Sequence, residues 1–205
     1  MEIKQLFDAE TSTYTYLLID SLSKEAAIID SVKEQFQRDK RYIQDLDLIL
    51  KYSFETHIHA DHVTASGLLR KEFGAKAVVH KNSGSSCADI LIEDEAEFFL
   101  GESKIRIIYT PGHTDTCVSL YINGHVFTGD ALLIRGCGRT DFQAGNASVL
   151  YDSITQKLFT LPDDTVRHPG HDYEGFISST IGEEKKLNPR LGKNMPKENF
   201  VQIMD

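Results

Sequence analysis

Short apolar runs, alternating with polar positions and set off by turn formers, fill the start of the chain. Ile3 to Phe7, Thr13 to Asp20 and Ala26 to Asp30 predict three strands, separated by Asp8-Ala9-Glu10 and by Ser21 to Lys24. The period then changes. Val32, Phe36, Ile43 and Leu46 recur at helical spacing behind Asp30-Ser31, which reads as an N-cap. Leu48 to Phe54 predicts a buried strand, Val63 to Phe73 a helix closed by Gly74, and Ala77 to His80 the strand after it. This is a β-α-β order. Glu97 to Leu100 and Ile105 to Thr110 flank Gly101-Glu102-Ser103 as a hairpin, and Cys117 to Ile122 with Val126 to Thr128 flank Asn123-Gly124 as another. Ala147, Leu150, Ile154 and Leu158 mark a helix started near Asn146, before a last strand around Thr165 to His168. Two mixed sheets with helices following the strands of each predict an α/β fold, a four-layer αββα sandwich. Without a repeat or linker, it should be one domain over residues 1–205.

Composition narrows the classes. A chain of 205 residues, 40% hydrophobic, can bury one sizeable core. Thirty-one acidic against twenty-two basic residues give a net charge of −9, which repels nucleic acid and anionic membranes and is most simply a solubility feature. Cys87, Cys117 and Cys137 are an odd number with no Cys-x-x-Cys pair, so they predict neither a disulfide framework nor a zinc knuckle, and they fit a reducing compartment. The N-terminus lacks a signal core or an arginine-rich presequence, and no run is apolar enough to span a bilayer. A soluble cytoplasmic protein is expected.

The densest chemistry lies in Thr56-His57-Ile58-His59-Ala60-Asp61-His62-Val63-Thr64-Ala65-Ser66-Gly67. Three imidazoles and a carboxylate within six residues match neither a buried helix face nor an alternating strand. Metal binding is the reading. His57 and His59 would point the same way from an extended backbone while Asp61 and His62 turn in behind them, whereas a helical zinc protease spaces its histidines four apart. Pro111-Gly112-His113-Thr114, Phe127-Thr128-Gly129-Asp130 and His168-Pro169-Gly170-His171-Asp172 add a histidine or aspartate after further predicted strands. The whole series, five histidines and two aspartates at successive strand ends, resembles the metallo-β-lactamase superfamily. His80, His125 and His168 are left over as structural or exposed residues. Seven such groups could hold two divalent ions bridged by Asp130, the arrangement that makes a hydroxide for hydrolysis.

Other stretches choose among the reactions of that superfamily. Gln5-Leu6-Phe7 with Ser12 to Leu18, Leu132 to Phe142, His171-Asp172-Tyr173 and Glu183 to Leu191 resemble the persulfide dioxygenases, over about Gln5 to Met204. Asp115, where a proline is common, and His168-Pro169-Gly170, in place of a more apolar lead, depart from the pattern without removing a ligand. The resemblance implies one non-haem Fe(II) per chain on His57, His113 and Asp130, with open positions for a persulfide thiolate and O2. The substrate would be glutathione persulfide or a related small persulfide, and the products sulfite and free thiol. His59, Asp61, His62 and His171 would then orient ligands or water, or form a vacant second metal site. By the same resemblance Cys137 lies beside the substrate channel, although a small buried thiol is the plainer alternative. Arg139 would pin a carboxylate or buttress its loop through Asp141, and Tyr173 would donate toward the metal pocket. Lys186 and Arg190 are candidates for the glutathione carboxylates, or surface charge. The main rival is a glyoxalase II-like zinc thioesterase, disfavoured because the chain stops at Asp205, without room for a helical thiol-binding domain. A non-catalytic binding module is a second. No nucleic acid or membrane partner is expected, and a homodimer is compatible with the chain.

Overall fold

Every residue of β2 (Thr13–Ile19) is buried, which a strand achieves only when both of its faces are covered. Its side chains alternate between two environments. Tyr14, Tyr16 and Leu18 enter a core shared with Val118, Leu120 and Phe127, whereas Leu17 and Ile19 pack with Ile43 and Leu69 on the opposite face. The computed structural model, which describes residues 1–204, shows the four layers that this alternation requires.

The first sheet runs in chain order: β1 (Glu2–Asp8), β2, β3 (Glu25–Ile29), β4 (Ile49–Phe54), β5 (Lys76–His80) and β6 (Ile90–Ile92). It is antiparallel from β1 to β3 and parallel from β3 to β6. α1 (Phe36–Asp45) and α2 (Ser66–Phe73) make two of the parallel crossovers. The second sheet contains β7 (Glu97–Leu100), β8 (Ser103–Tyr109), β9 (Val118–Ile122), β10 (His125–Gly129), β11 (Val166–Pro169) and β12 (Ser179–Thr180), with β12 and β7 at its edges. α3 (Ala147–Gln156) links the parallel pair β10 and β11, and α4 (Ile181–Leu187) and α5 (Lys197–Met204) follow β12. Leu150, Ile154, Ile181 and Phe200 from these helices close the outer face of the second sheet over Ile108 and Val126.

The expected sandwich is therefore present, with local differences. β6, β12, α4 and α5 were not anticipated. β6 and β12 have three and two residues, too few for a period to show. α4 is announced by a capping box, with Thr180 and Glu183 each accepting from the other's backbone N–H, rather than by an apolar stripe. Asp30 and Ser31 do not cap α1, which begins only after a 3-10 turn at Lys33–Gln35. α2 starts at Ser66 rather than Val63, because Thr64 bridges to Val32 and donates to Glu55. The strand near Thr165 is not the last.

Backbone hydrogen bonds join the two sheets along one rim. Tyr14 N–H donates to Gly170 O at 2.8 Å, Asp172 N–H to Ser12 O at 3.2 Å and Val118 N–H to Thr56 O at 2.7 Å. Gly112 lets the loop beyond β8 lie against α3: its φ is +133°, and a Cβ there would fall 2.3 Å from Leu150 Cα.

Candidate active site

The C-terminal ends of β3, β4, β8, β10 and β11 all reach this rim and deliver Asp30, residues 55–62, His113, Asp130 and His171. Gathering of ligand-binding groups at strand C-termini is common in α/β proteins. His57, His113 and Asp130 each place a ligand atom within 4.8 Å of the others. His113 Nδ1 lies 2.7 Å from Arg139 O, and a carbonyl only accepts, so Nδ1 carries the proton. In the neutral ring the other nitrogen, Nε2, keeps its lone pair, 3.8 Å from Asp130 Oδ2. Burial, reinforced by the neighbouring His59, pushes the His57 pKa down to about 3, so this ring is neutral. Burial alone would raise the Asp130 pKa, but the charged His171 ring, bonded to it at 2.7 Å, overrides it and holds the carboxyl well below its usual range. Two imidazoles and one ionised carboxylate result, a donor set suited to a divalent transition metal with open positions.

The remaining motif residues brace this group. His171 sits between two carboxylates, with Nδ1 2.7 Å from Asp130 Oδ1 and Nε2 3.2 Å from Asp61 Oδ2. Burial works against its charge, yet Asp130 and then Asp61 raise its pKa to about 10. Both nitrogens therefore donate. Burial would likewise raise Asp61, but bonds from His171 and His62, the latter at 2.8 Å, hold its carboxyl far below the ordinary range. His59 Nε2 donates to Asp30 Oδ1 at 3.1 Å; although burial opposes charge here, Asp30, Glu55 and Asp61 raise the pKa to about 9. His59, Asp61 and His62 form a second cluster with ligand atoms within 4.8 Å.

Asp30 and Glu55 are site residues that the sequence reading missed. Asp30 is buried and accepts from Thr56 N–H and Thr56 Oγ1, both at 2.7 Å, as well as from His59. Its signal in the sequence is a carboxylate ending the apolar run Ala26 to Ile29, a position that reads equally as a helix cap. Glu55 is also buried, beside His59 and accepting from Ser66 at 2.5 Å, and it directly precedes the recognised motif.

A cleft of about 450 Å³ opens on His113 and Asp130 and is lined further by Cys137, Arg139, Tyr173 and Arg190. Cys137 is buried, its Sγ 3.7 Å from Met204 Sδ, and Arg190 reaches the same methionine sulfur at 3.3 Å. Arg139 turns its guanidinium outward onto Asp141, with two bonds of 2.7 Å, so it is the backbone carbonyl that touches His113. Tyr173 lies parallel to His171, with ring centroids 6.1 Å apart and 73% of its surface exposed. Lys186 is exposed on α4 and does not line the cleft, because Glu184 and Asn188 occupy the inner face of that segment and tie it to Arg135 and Gly136 O. A larger cavity of about 650 Å³, between Phe7, Tyr14 and Ile177, shares Tyr173 with the cleft but contains no residue of the metal group.

The sequence model of the metallo-β-lactamase superfamily matches residues 10–171, which include all seven motif residues. The human mitochondrial persulfide dioxygenase ETHE1 is 49% identical to the chain over 205 residues, covering 98% of this chain and 80% of the relative. The chain belongs to the persulfide dioxygenase family of the metallo-β-lactamase superfamily. The crystal structure of ETHE1 from Myxococcus xanthus superposes with a TM-score of 0.96 at 50% identity, covering this whole chain and 90% of the other. A Dictyostelium discoideum glyoxylase B2 is similar at 31% identity, covering 96% of this chain and 80% of its own length. The αββα architecture and an enzymatic role are thus shared with persulfide dioxygenases, at an identity well above that to glyoxylase B2.

Proposed function

We propose that this persulfide dioxygenase oxidises glutathione persulfide, or a related small persulfide, with O2 to sulfite and the free thiol, using one Fe(II) per chain. The observation that carries this reading is the donor set: His113, the neutral His57 ring and the ionised Asp130 bring ligand atoms together, His113 and Asp130 line one cleft, and His171 is engaged as a double donor. Those three residues would hold the metal, which when bound supplies open coordination positions and the redox chemistry that O2 requires. Asp130 contributes the one negative charge of the set, and His171 braces it by donating to its Oδ1. His59, His62 and Asp61 hold one another and His171 in place. Arg190 at the cleft provides positive charge for the carboxylates of an anionic thiol peptide on a chain whose net charge is −9, and Arg139 can add to it by exchanging Asp141 for such a carboxylate. Tyr173 exposes an aromatic ring and hydroxyl at the same opening.

We place the protein in the cytoplasm, although the human relative is named as mitochondrial; the three cysteines are free, as a reducing compartment favours. No helix among the described residues is long and apolar enough to cross a membrane. The decisive test is oxygen dependence. Iron-loaded protein given glutathione persulfide should consume O2 and release sulfite, and under nitrogen it should do neither. Hydrolysis of S-lactoylglutathione under nitrogen at a comparable rate, with two zinc ions per chain, would establish the thioesterase instead.

Two variants test the cleft. Cys137→Ser should bind metal as wild type does and turn over more slowly, because a hydroxyl replaces a thiol packed on Met204. Arg139→Ala retains the carbonyl that fixes His113, so it should keep its metal and mainly raise KM. Steady-state oxygen uptake with metal analysis reads both; metal loss in Arg139→Ala would show that its side chain supports the ligand loop.

A further inference from the structure

We propose that Asp30 is a positioning residue that determines which nitrogen His57 offers to the metal, acting through the hydroxyl of Thr56. The inference rests on the reading of His57 as a ligand, and it concerns how this chain prepares that ligand before metal arrives. Thr56 Oγ1 lies 2.7 Å from Asp30 Oδ2 and 3.0 Å from His57 Nδ1. A hydroxyl has one proton, and an ionised carboxylate can only accept. The Thr56 proton is therefore committed to Asp30. What the hydroxyl can still offer His57 is a lone pair, so Nδ1 must carry a hydrogen and Nε2 is left bare. Were position 30 an amide, its NH2 could donate to Thr56, and the hydroxyl proton could turn to His57 Nδ1. The protonated nitrogen would then be Nε2.

The surrounding chain holds this relay rigidly. Asp30 has φ +50° at the end of β3, its N–H donates to Phe54 O at 2.9 Å, and its carbonyl accepts from Thr15 Oγ1 at 2.8 Å. Its other oxygen, Oδ1, accepts from Thr56 N–H at 2.7 Å and from His59 Nε2 at 3.1 Å. One buried carboxylate is thus tied to both histidines of the His57-x-His59 pair. The space for the hydroxyl comes from the second sheet: a Cβ on Gly129 would fall 2.4 Å from Thr56 Oγ1. Sheet one supplies the acceptor and sheet two leaves the room. Outer partners of metal-binding histidines generally fix the ring tautomer in this way.

The test reads the tautomer directly. In full-length protein stripped of metal, nitrogen NMR of the His57 ring, assigned by signal loss in His57→Gln, should show the Nδ1–H form in wild type. Thr56→Val deletes the hydroxyl but leaves the Asp30 contacts to His59 and the Thr56 backbone. It should give a mixture of tautomers and weaken Co(II) binding, followed by visible absorption, by ~10–100-fold. Asp30→Asn should shift the ring toward Nε2–H, and Thr56→Ser should restore both the wild-type tautomer and the affinity. A pure Nδ1–H ring with unchanged Co(II) affinity in folded Thr56→Val would overturn the proposal. Should Asp30→Asn fail to fold, the Thr56 pair decides the relay by itself. Since the tautomer is read without metal or substrate, a failure of the persulfide reaction would leave this result standing, and the reverse holds too.

Discussion

Asp130→Asn is expected to bind metal at least ~100-fold more weakly than wild type and to lose nearly all turnover, whereas Asp61→Asn should keep most of its metal. Replacing outer-sphere partners costs ~10–100-fold in affinity, and as a proposed direct ligand, the single anion of its set, Asp130 should cost more. An amide is neutral and a poorer ligand, so the change removes both charge and donor strength. It also removes half of the carboxylate pair that keeps His171 charged, since Nδ1 of that ring faces Asp130 Oδ1 at 2.7 Å. Asp61 differs in that it holds His62 and His171 without belonging to the His57, His113 and Asp130 cluster. Elemental analysis and competitive metal titration of both variants measure the difference. Equal loss in the two would show that Asp61 is itself a ligand and that the site is dinuclear.

Gly138→Ala is expected to lower kcat/KM by ~100-fold while the protein still folds, because misplacing a reacting group by about an ångström can cost that much. A Cβ at this position would lie 2.4 Å from Asp130 O and 2.7 Å from His113 Cγ and Nδ1. The methyl group would push between two of the three proposed ligands. Gly138 N–H also donates to Asp130 O at 2.8 Å, a bond that a shifted loop would strain. Overpacking of this kind costs about 1–3 kcal/mol in stability. Gly136→Ala is the control from the same loop: the nearest atoms to its added Cβ are at 3.8 and 3.9 Å, an ordinary contact, so it should be nearly silent. Thermal unfolding with steady-state kinetics separates the two variants. Similar kinetics in both would mean that the loop can move without disturbing the ligands.

Much of the architecture was legible in the chain. The β-branched and aromatic run Thr13 to Asp20, the Asn123-Gly124 turn and the helix start near Asn146 all specify local structure through neighbouring residues, and they reappear as β2, the β9–β10 hairpin and the start of α3. The end of the chain was less legible. α4 and α5 owe their positions to packing of Ile181 and Phe200 on a sheet whose strands lie earlier in sequence.

The same division holds for the site. Sequence by itself determined which side chains bring metal-donor atoms to predicted strand ends, namely His57, His59, Asp61, His62, His113, Asp130 and His171, because donor chemistry belongs to the side chain alone. Only the tertiary structure decided what each of them does. The protonated nitrogen of His113 is selected by a carbonyl 26 residues away, and the charge on His171 by carboxylates 41 and 110 residues away. Asp30 looked like a helix cap until β4 was laid beside β3, which brought Thr56 and His59 to its two oxygens. Lys186 and Arg190, four residues apart and alike in charge, were separated by the turn beyond α4 that sends Arg190 to the cleft and Lys186 to solvent. Hydrogen-bond direction, burial and the resulting protonation are properties of pairs of groups, and these pairs are assembled only when distant strand ends meet on one rim.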